Sequence, residues 1–132
     1  IKKVVHVGDS DGYFIALNEN GNSADLKWET KADDVNRVES TPTIINGIAY
    51  YGTRTTDLPD DGVLDGDDDG KFVAVNSTDG SVMDEFATGD DSHNSLTSRD
   101  GRIYFGACDE KIYAQIPLTE LSSGFEKSYL LE

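Results

Sequence analysis

The residues best placed to do chemistry in this chain are carboxylates. Asp65-Gly66-Asp67-Asp68-Asp69-Gly70 puts acids at the first, third and fifth positions of a loop, with glycine at the sixth. Alternate oxygens at that spacing converge on one hard cation, and the glycine permits the sharp bend. Calcium is the ion that suits the donor set. Asp65, Asp67 and Asp69 are its expected carboxylate ligands, and Lys71, at the seventh position, would offer its backbone carbonyl. The twelfth position, where a helix-flanked calcium loop carries a bidentate Glu, is Asn76 inside a strand-like run. The loop is therefore not helix-flanked, and the missing oxygens fall to Asp61, or to Asp57 or Asp60, folding back. The competing reading is a solvated insertion with no ion, its charge screened by water and salt.

Other reactive groups are sparse. His6 lies in a β-branched run and reads as structural, while His93 sits in the loop Asp90-Asp91-Ser92-His93-Asn94. A catalytic histidine needs a nucleophile and an orienting partner, and the sequence pairs neither histidine with such groups. No glycine-rich loop carries the Lys-Ser/Thr that cradles phosphate. Cys108 is the only cysteine, which excludes an intrachain disulfide and a thiolate cluster. Its apolar, strand-like surroundings predict a buried, inert thiol.

Composition narrows the partners. The 132 residues carry 26 acids and 11 bases, a formal charge of -15. Binding to nucleic acid or to an anionic membrane surface rests on Lys and Arg, so both are excluded as primary functions. The acid is concentrated: residues 57 to 91 hold twelve carboxylates and one base, Lys71. No run approaches the roughly 20 apolar residues that span a bilayer. The chain opens on Ile1 without a leader-like segment, so an excised or trimmed piece is expected.

The loop must be held by strands. Val4-Val5-His6-Val7-Gly8, Ile48-Ala49-Tyr50-Tyr51-Gly52 and Arg102-Ile103-Tyr104-Phe105-Gly106 are three versions of one strand ending in glycine. Each leads to a second strand: Tyr13 to Asn18, Lys71 to Asn76, and Lys111 to Gln115, with Ala16, Ala74 and Ala114 in matching places. Gly21 followed by Trp28, and Gly80 followed by Phe86, give two versions of a turn and an aromatic-bearing third strand. The strand-ending glycines lie 44 and then 54 residues apart. Short strands repeating every 40 to 50 residues or so are the signature of propeller blades. The small alanines leave room for a ring from a neighbouring strand, so Trp28 and Phe86 read as wedges in the core.

At these residues the chain resembles the quinoprotein-like (PQQ-repeat) β-propeller family. The repeat there runs strand-Gly, then Gly-x-aromatic-x-Ala-x-Asp/Asn, then Thr/Asn-Gly before Trp. Here it stands as Gly8, then Gly12-Tyr13-Phe14-Ile15-Ala16-Leu17-Asn18, then Gly21 to Trp28. Departures are Phe86 in place of Trp, Gln115 in place of Asp/Asn, and the insertion at 53 to 69. The resemblance implies an all-β fold of antiparallel, four-stranded propeller-type blades, with about two and a half repeats. Units are expected near 1–45, 46–98 and 99–116, and the tail 117–132 has helix-like apolar spacing. Propellers usually have about 4 to 8 blades, so a partial propeller has to be completed by a longer parent chain or by self-association.

The family includes alcohol dehydrogenases, outer-membrane assembly lipoproteins and sensor domains. A binding or scaffold segment of an exported bacterial-type protein, periplasmic or extracellular and more a binder than an enzyme, is what the resemblance and the acidic loop together favour. The alternatives are a fragment of a PQQ-dependent dehydrogenase and an extracellular sensor module of a membrane kinase. In the dehydrogenases the quinone sits with calcium near a vicinal disulfide, an Arg and an Asp, and no counterpart of that set is recognisable here.

Overall fold

The computed structural model describes residues 3–31, 36–55, 70–92, 94–119, 124–125 and 129–131. Among them every regular element is a strand, and every pairing is antiparallel. The first sheet joins β1 (Lys3–Gly8), β2 (Tyr13–Glu19) and β3 (Ala24–Lys31) in that order. A two-stranded ribbon pairs β4 (Asn36–Arg37) with β7 (Arg54–Thr55). The second sheet runs β5 (Thr43–Ile45), β6 (Ile48–Gly52), β8 (Lys71–Asn76) and β9 (Val82–Ala87). The third runs β10 (Thr97–Arg99), β11 (Arg102–Gly106), β12 (Ile112–Gln115) and β13 (Tyr129–Leu131).

These sheets stack, and the middle one is buried on both faces. Side chains alternate along a strand, so Ala49, Tyr51, Val73 and Val75 meet Phe14, Ala16 and Trp28 of the first sheet. The intervening Ile48, Tyr50, Phe72 and Ala74 meet Ile103, Phe105 and Tyr113 of the third. That is why β6 and β8 are buried residue after residue while burial along β1 alternates. Ring contacts bridge the layers, with Phe14 on Tyr51 at 4.3 Å and Phe72 on Phe105 at 4.5 Å between centroids. Burying each such ring contributes roughly 1.5–3 kcal/mol.

Two glycines are required by close approach. A Cβ on Gly52 would stand 1.9 Å from the Ser92 carbonyl oxygen, where the connection to the third sheet crosses the end of β6. A Cβ on Gly80, at φ +78°, would stand 2.5 Å from the Trp28 ring. Trp28 is 8% exposed and donates its Nε1–H to the Ser77 carbonyl at 3.1 Å. It is the wedge its place in the repeat predicts, locking the first sheet onto the turn between β8 and β9.

The structure corrects three expectations. Residues 129–131 of the tail form a strand where a helix was expected, completing a four-stranded third sheet rather than half a unit. Opposite β12, Tyr129 to Leu131 gain ladder hydrogen bonds that helix-like apolar spacing alone does not supply. The second and third sheets begin at Thr43 and Thr97, with the Asn46-Gly47 and Asp100-Gly101 turns inside the hairpins β5–β6 and β10–β11. The first sheet has three strands among the described residues.

The remaining two concern single residues. Phe86 is not the counterpart of Trp28. Trp28 stands opposite Ala16, and the residue opposite Ala74 is Asp84, with Phe86 opposite Phe72. Cys108 is exposed, since it falls in the turn after β11 rather than in a buried strand.

Candidate functional site

The acidic insertion begins beyond β7 of the ribbon and ends at Gly70, so its two stems sit side by side at one end of β6 and β8. Backbone groups pin them together. Thr53 N–H donates to the Lys71 carbonyl at 2.8 Å, and Lys71 N–H donates to Thr53 Oγ1 at 2.8 Å. Thr88 N–H donates to the Gly70 carbonyl, and Ser92 N–H to that of Thr53. A Cβ on Gly70 would lie 2.7 Å from both Ser92 N and the Thr53 carbonyl oxygen, so only glycine fits where the loop re-enters. Ser40 Oγ bonds both the N–H and the carbonyl of Gly52 at 2.8 and 2.9 Å. The loop thus springs from rigid backbone.

Charge at the stems follows a ladder. Arg54 Nε lies 3.2 Å from Asp91 Oδ2, and its Nη1 lies 3.4 Å from Glu39 Oε2; Arg37 reaches the other Glu39 oxygen at 3.9 Å. The hydrogen bond to Glu39, with the nearby charges of Glu39 and Asp91, raises the Arg54 pKa further above its ordinary value. Lys71 Nζ sits 3.1 Å from Glu85 Oε1. Arg37, Arg54 and Lys71 are the only bases between residues 32 and 96. Each is engaged by a carboxylate of the scaffold.

Of the expected calcium ligands, Asp61, Asp65, Asp67 and Asp69 lie outside the described residues, as do Asp57, Asp60 and His93. Lys71 is placed as the first residue of β8, its carbonyl accepting from Thr53 as above. Among the described residues no cluster of three or more His, Cys, Asp or Glu is arranged to hold a metal. Asp9 to Gly12 is a turn, as its sequence indicates: Asp9 Oδ1 accepts from Asp11 N–H at 2.9 Å and from Tyr13 N–H at 2.8 Å.

Two polar groupings escaped sequence reasoning. Asp91, with its carboxylate 9% exposed, and Asp109, 6% exposed, are the acids the fold draws inward. Tyr113 donates its hydroxyl to Asp109 Oδ2 at 2.7 Å, and Lys111 Nζ lies 3.4 Å from the same oxygen. Burial first, and the bond to Asp109 second, push the Tyr113 pKa up to about 12. A phenol so held is a fixed donor, not a base. The signal for Asp109 was its place in a turn between two strands, a site where carboxylates bond backbone and neighbours. His6 packs against Phe14 and Trp28, with ring centroids 5.9 and 5.5 Å away, and desolvation lowers its pKa.

No family model matches the chain, and no curated protein matches it. Solved structures do. BamB from Moraxella catarrhalis superposes with a TM-score of 0.60 and 17% identity, over 96% of this chain and 33% of that one. The chain has the PQQ-like β-propeller fold. A europium-containing methanol dehydrogenase matches over 98% of this chain and 23% of its own, at TM-score 0.66 and 12% identity. The quinohemoprotein alcohol dehydrogenase ADHIIG from Pseudomonas putida HK5 matches over 96% and 25%, at 0.67 and 15%. This propeller segment spans a quarter to a third of the length of those structures, and its sheets do not close a ring. No helix among the described residues is long and apolar enough to cross a membrane.

Proposed function

We propose that the chain is a non-catalytic binding and scaffold segment of an exported, bacterial-type β-propeller protein, periplasmic or extracellular, that holds calcium in its acidic insertion. One observation carries this reading. The insertion rises from a backbone-pinned stem whose flanking bases are already engaged by Glu39, Asp91 and Glu85. Scaffold acids thus occupy the positive charge beside the loop, and a cluster of carboxylates at alternating positions is best neutralised by a hard cation from solution. Asp65, Asp67 and Asp69 would supply carboxylate oxygens, with Asp61 and the Lys71 carbonyl completing the set. Bound calcium would tie the two stems at the mouth of the second sheet and present a shaped loop to a protein or small ligand.

Calorimetric titration of calcium into chelator-treated protein tests the site. The expected outcome is a saturable heat together with a higher melting temperature in calcium than in chelator, both lost in Asp65→Asn/Asp67→Asn. Equal melting curves and no heat would remove the ion from the proposal.

A second reading, a fragment of a PQQ-dependent dehydrogenase, is favoured by two of the similar structures being alcohol-oxidising enzymes. Dye reduction after addition of the quinone, calcium and an alcohol is its test. Turnover would favour it over the scaffold reading.

A further inference from the structure

We propose that Asn46 is a site of spontaneous covalent modification, in which the Gly47 backbone nitrogen displaces the Asn46 side-chain amide, and that the isoaspartyl product unseats the Trp28 wedge through Ser77.

The reaction needs an exposed amide, a following residue with no side chain in the path of attack, and a backbone able to open. An Asn-Gly pair stands at two places in the chain, Asn20-Gly21 and Asn46-Gly47, and all four residues are exposed. The pairs differ in what holds the amide. Asn20 Nδ2 donates to Asp25 Oδ2, and the Asn20 N–H donates to the Ser23 carbonyl at 2.8 Å. There the nitrogen that must leave is anchored, beside a carboxylate that opposes negative charge growing on the attacked carbonyl. No described residue bonds the Asn46 side-chain amide or the Gly47 N–H.

The backbone at Asn46 can open. Asn46 and Gly47 are the two central residues of the β5–β6 hairpin, at φ +50° and +79°. One arm of that hairpin is slight: β5 is three residues long, lies at the edge of its sheet and pairs with β6 alone, and its Ile44 is exposed. Elements with so few contacts open locally at low cost, and opening lets the Asn46 amide carbon reach the Gly47 nitrogen.

The Gly47 nitrogen then bonds to the Asn46 amide carbon while the bond from that carbon to Nδ2 breaks. Nδ2 leaves as ammonia, taking the proton from the Gly47 N–H. Water opens the resulting succinimide ring, at the former side-chain carbon to give aspartate or at the main-chain carbon to give isoaspartate. No oxidant or reductant is involved.

The two products fit the turn differently. The matching hairpin of the third sheet, β10–β11, already carries Asp100-Gly101 at φ +51° and +74°, so aspartate suits this turn. Isoaspartate adds a methylene to the main chain, in a connection whose register allows two residues between Ile45 and Ile48. The displacement passes inward from the Gly47 carbonyl. That oxygen accepts the Ser77 N–H at 2.9 Å, and the Ser77 carbonyl accepts the Trp28 Nε1–H at 3.1 Å. An exposed turn is thereby linked to the ring that joins the first two sheets.

The test is ageing of the whole chain at mildly alkaline pH, followed by peptide mass mapping with isoaspartyl methyltransferase labelling. Emission of Trp28, the only tryptophan, is read on the chromatographically resolved products. Asn46 is expected to lose its amide faster than Asn20, and Asp25→Ala to speed the loss at Asn20. Emission should shift to the red in the isoaspartyl product, whereas the aspartyl product and Asn46→Asp emit as the fresh protein does. Overturning results are an Asn46 that keeps its amide, an Asn20 that converts as fast, an Asn20 rate unchanged in Asp25→Ala, an unshifted isoaspartyl product, or a red shift in Asn46→Asp.

Discussion

Replacing Gly80 with alanine is expected to destabilise the protein chiefly through a residue in another sheet. The new Cβ would meet Trp28 Cε3 at 2.5 Å and Cδ2 at 2.8 Å, and the backbone there has φ +78°. Adopting a left-handed conformation costs about 1–2 kcal/mol for a residue with a side chain. Overpacking against a ring that cannot retreat adds about 1–3 kcal/mol. Trp28→Ala is expected to cost about 3–5 kcal/mol, the range for removing a buried aromatic side chain. In the Trp28→Ala background Gly80→Ala should lose its steric component and keep only the backbone cost, a coupling of about 1–3 kcal/mol. Urea unfolding followed by circular dichroism on the four proteins of the cycle measures it. Additive costs would refute the claim that the indole is what keeps position 80 a glycine.

Four further outcomes follow from the same contacts. His6 is half-buried, and desolvation lowers its pKa from 6.5, so the unfolded chain takes up a proton first as pH falls. Its contribution to stability is complete above about pH 6.5 and is lost as pH falls through the lower folded value. Melting temperatures from pH 8 to 5 should show a fall that His6→Phe removes. Tyr113 shifts the other way: its neutral form is favoured, so stability present below pH 10 declines as pH rises toward about 12. Absorbance titration should find a late-ionising tyrosine that is missing in Tyr113→Phe, while Tyr50, whose pKa burial also raises, stays late in both proteins; the variant also loses about 1.5–3 kcal/mol with a hydrogen bond to a carboxylate. Gly52→Ala places a Cβ against the backbone of Ser92 and should unfold more readily than Gly101→Ala, where only φ is at issue; thermal melts rank the two. Asp84→Ala strands the Phe125 N–H and should cost about 1–3 kcal/mol, read by urea midpoint.

The fold was legible because the repeat is a packing device written locally. Strand-ending glycines, small alanines and Trp28 each answer to a contact that the stack makes, so reading them three times over gave the sheets their order. The misreadings share one cause. Where a turn changes length, counting from glycine loses the cross-strand register, so Phe86 reads as the counterpart of Trp28 although the residue opposite Ala74 is Asp84. The strand at 129–131 was hidden for a related reason, because the link before it is longer than in the other units. The ladder of Arg37, Glu39, Arg54 and Asp91 was invisible because its members are spread over some 55 positions and meet only when the ribbon forms. The acidic loop was visible by composition, while its anchoring at Thr53, Gly70 and Ser92 was not.

That anchoring bears on where function resides. The second sheet has no face left for a ligand, since both are filled by neighbouring sheets. Binding must therefore use strand ends or the two outer faces. The outer faces expose Val5, Val7 and Leu26 on the first sheet and Ile112 on the third. The strand ends of the second sheet carry the acid, on stems braced by backbone and by an ion-pair ladder, which suits a charged ligand. If the insertion holds calcium as proposed, Asp65→Asn should lower calcium affinity and shrink the rise in melting temperature that calcium gives, while Val7→Lys, on the outer face of the first sheet, should leave both unchanged; calorimetric titration and thermal melts on the two variants measure this. Loss of calcium affinity in Val7→Lys would mean that the loop depends on the first sheet as well as on its own stems.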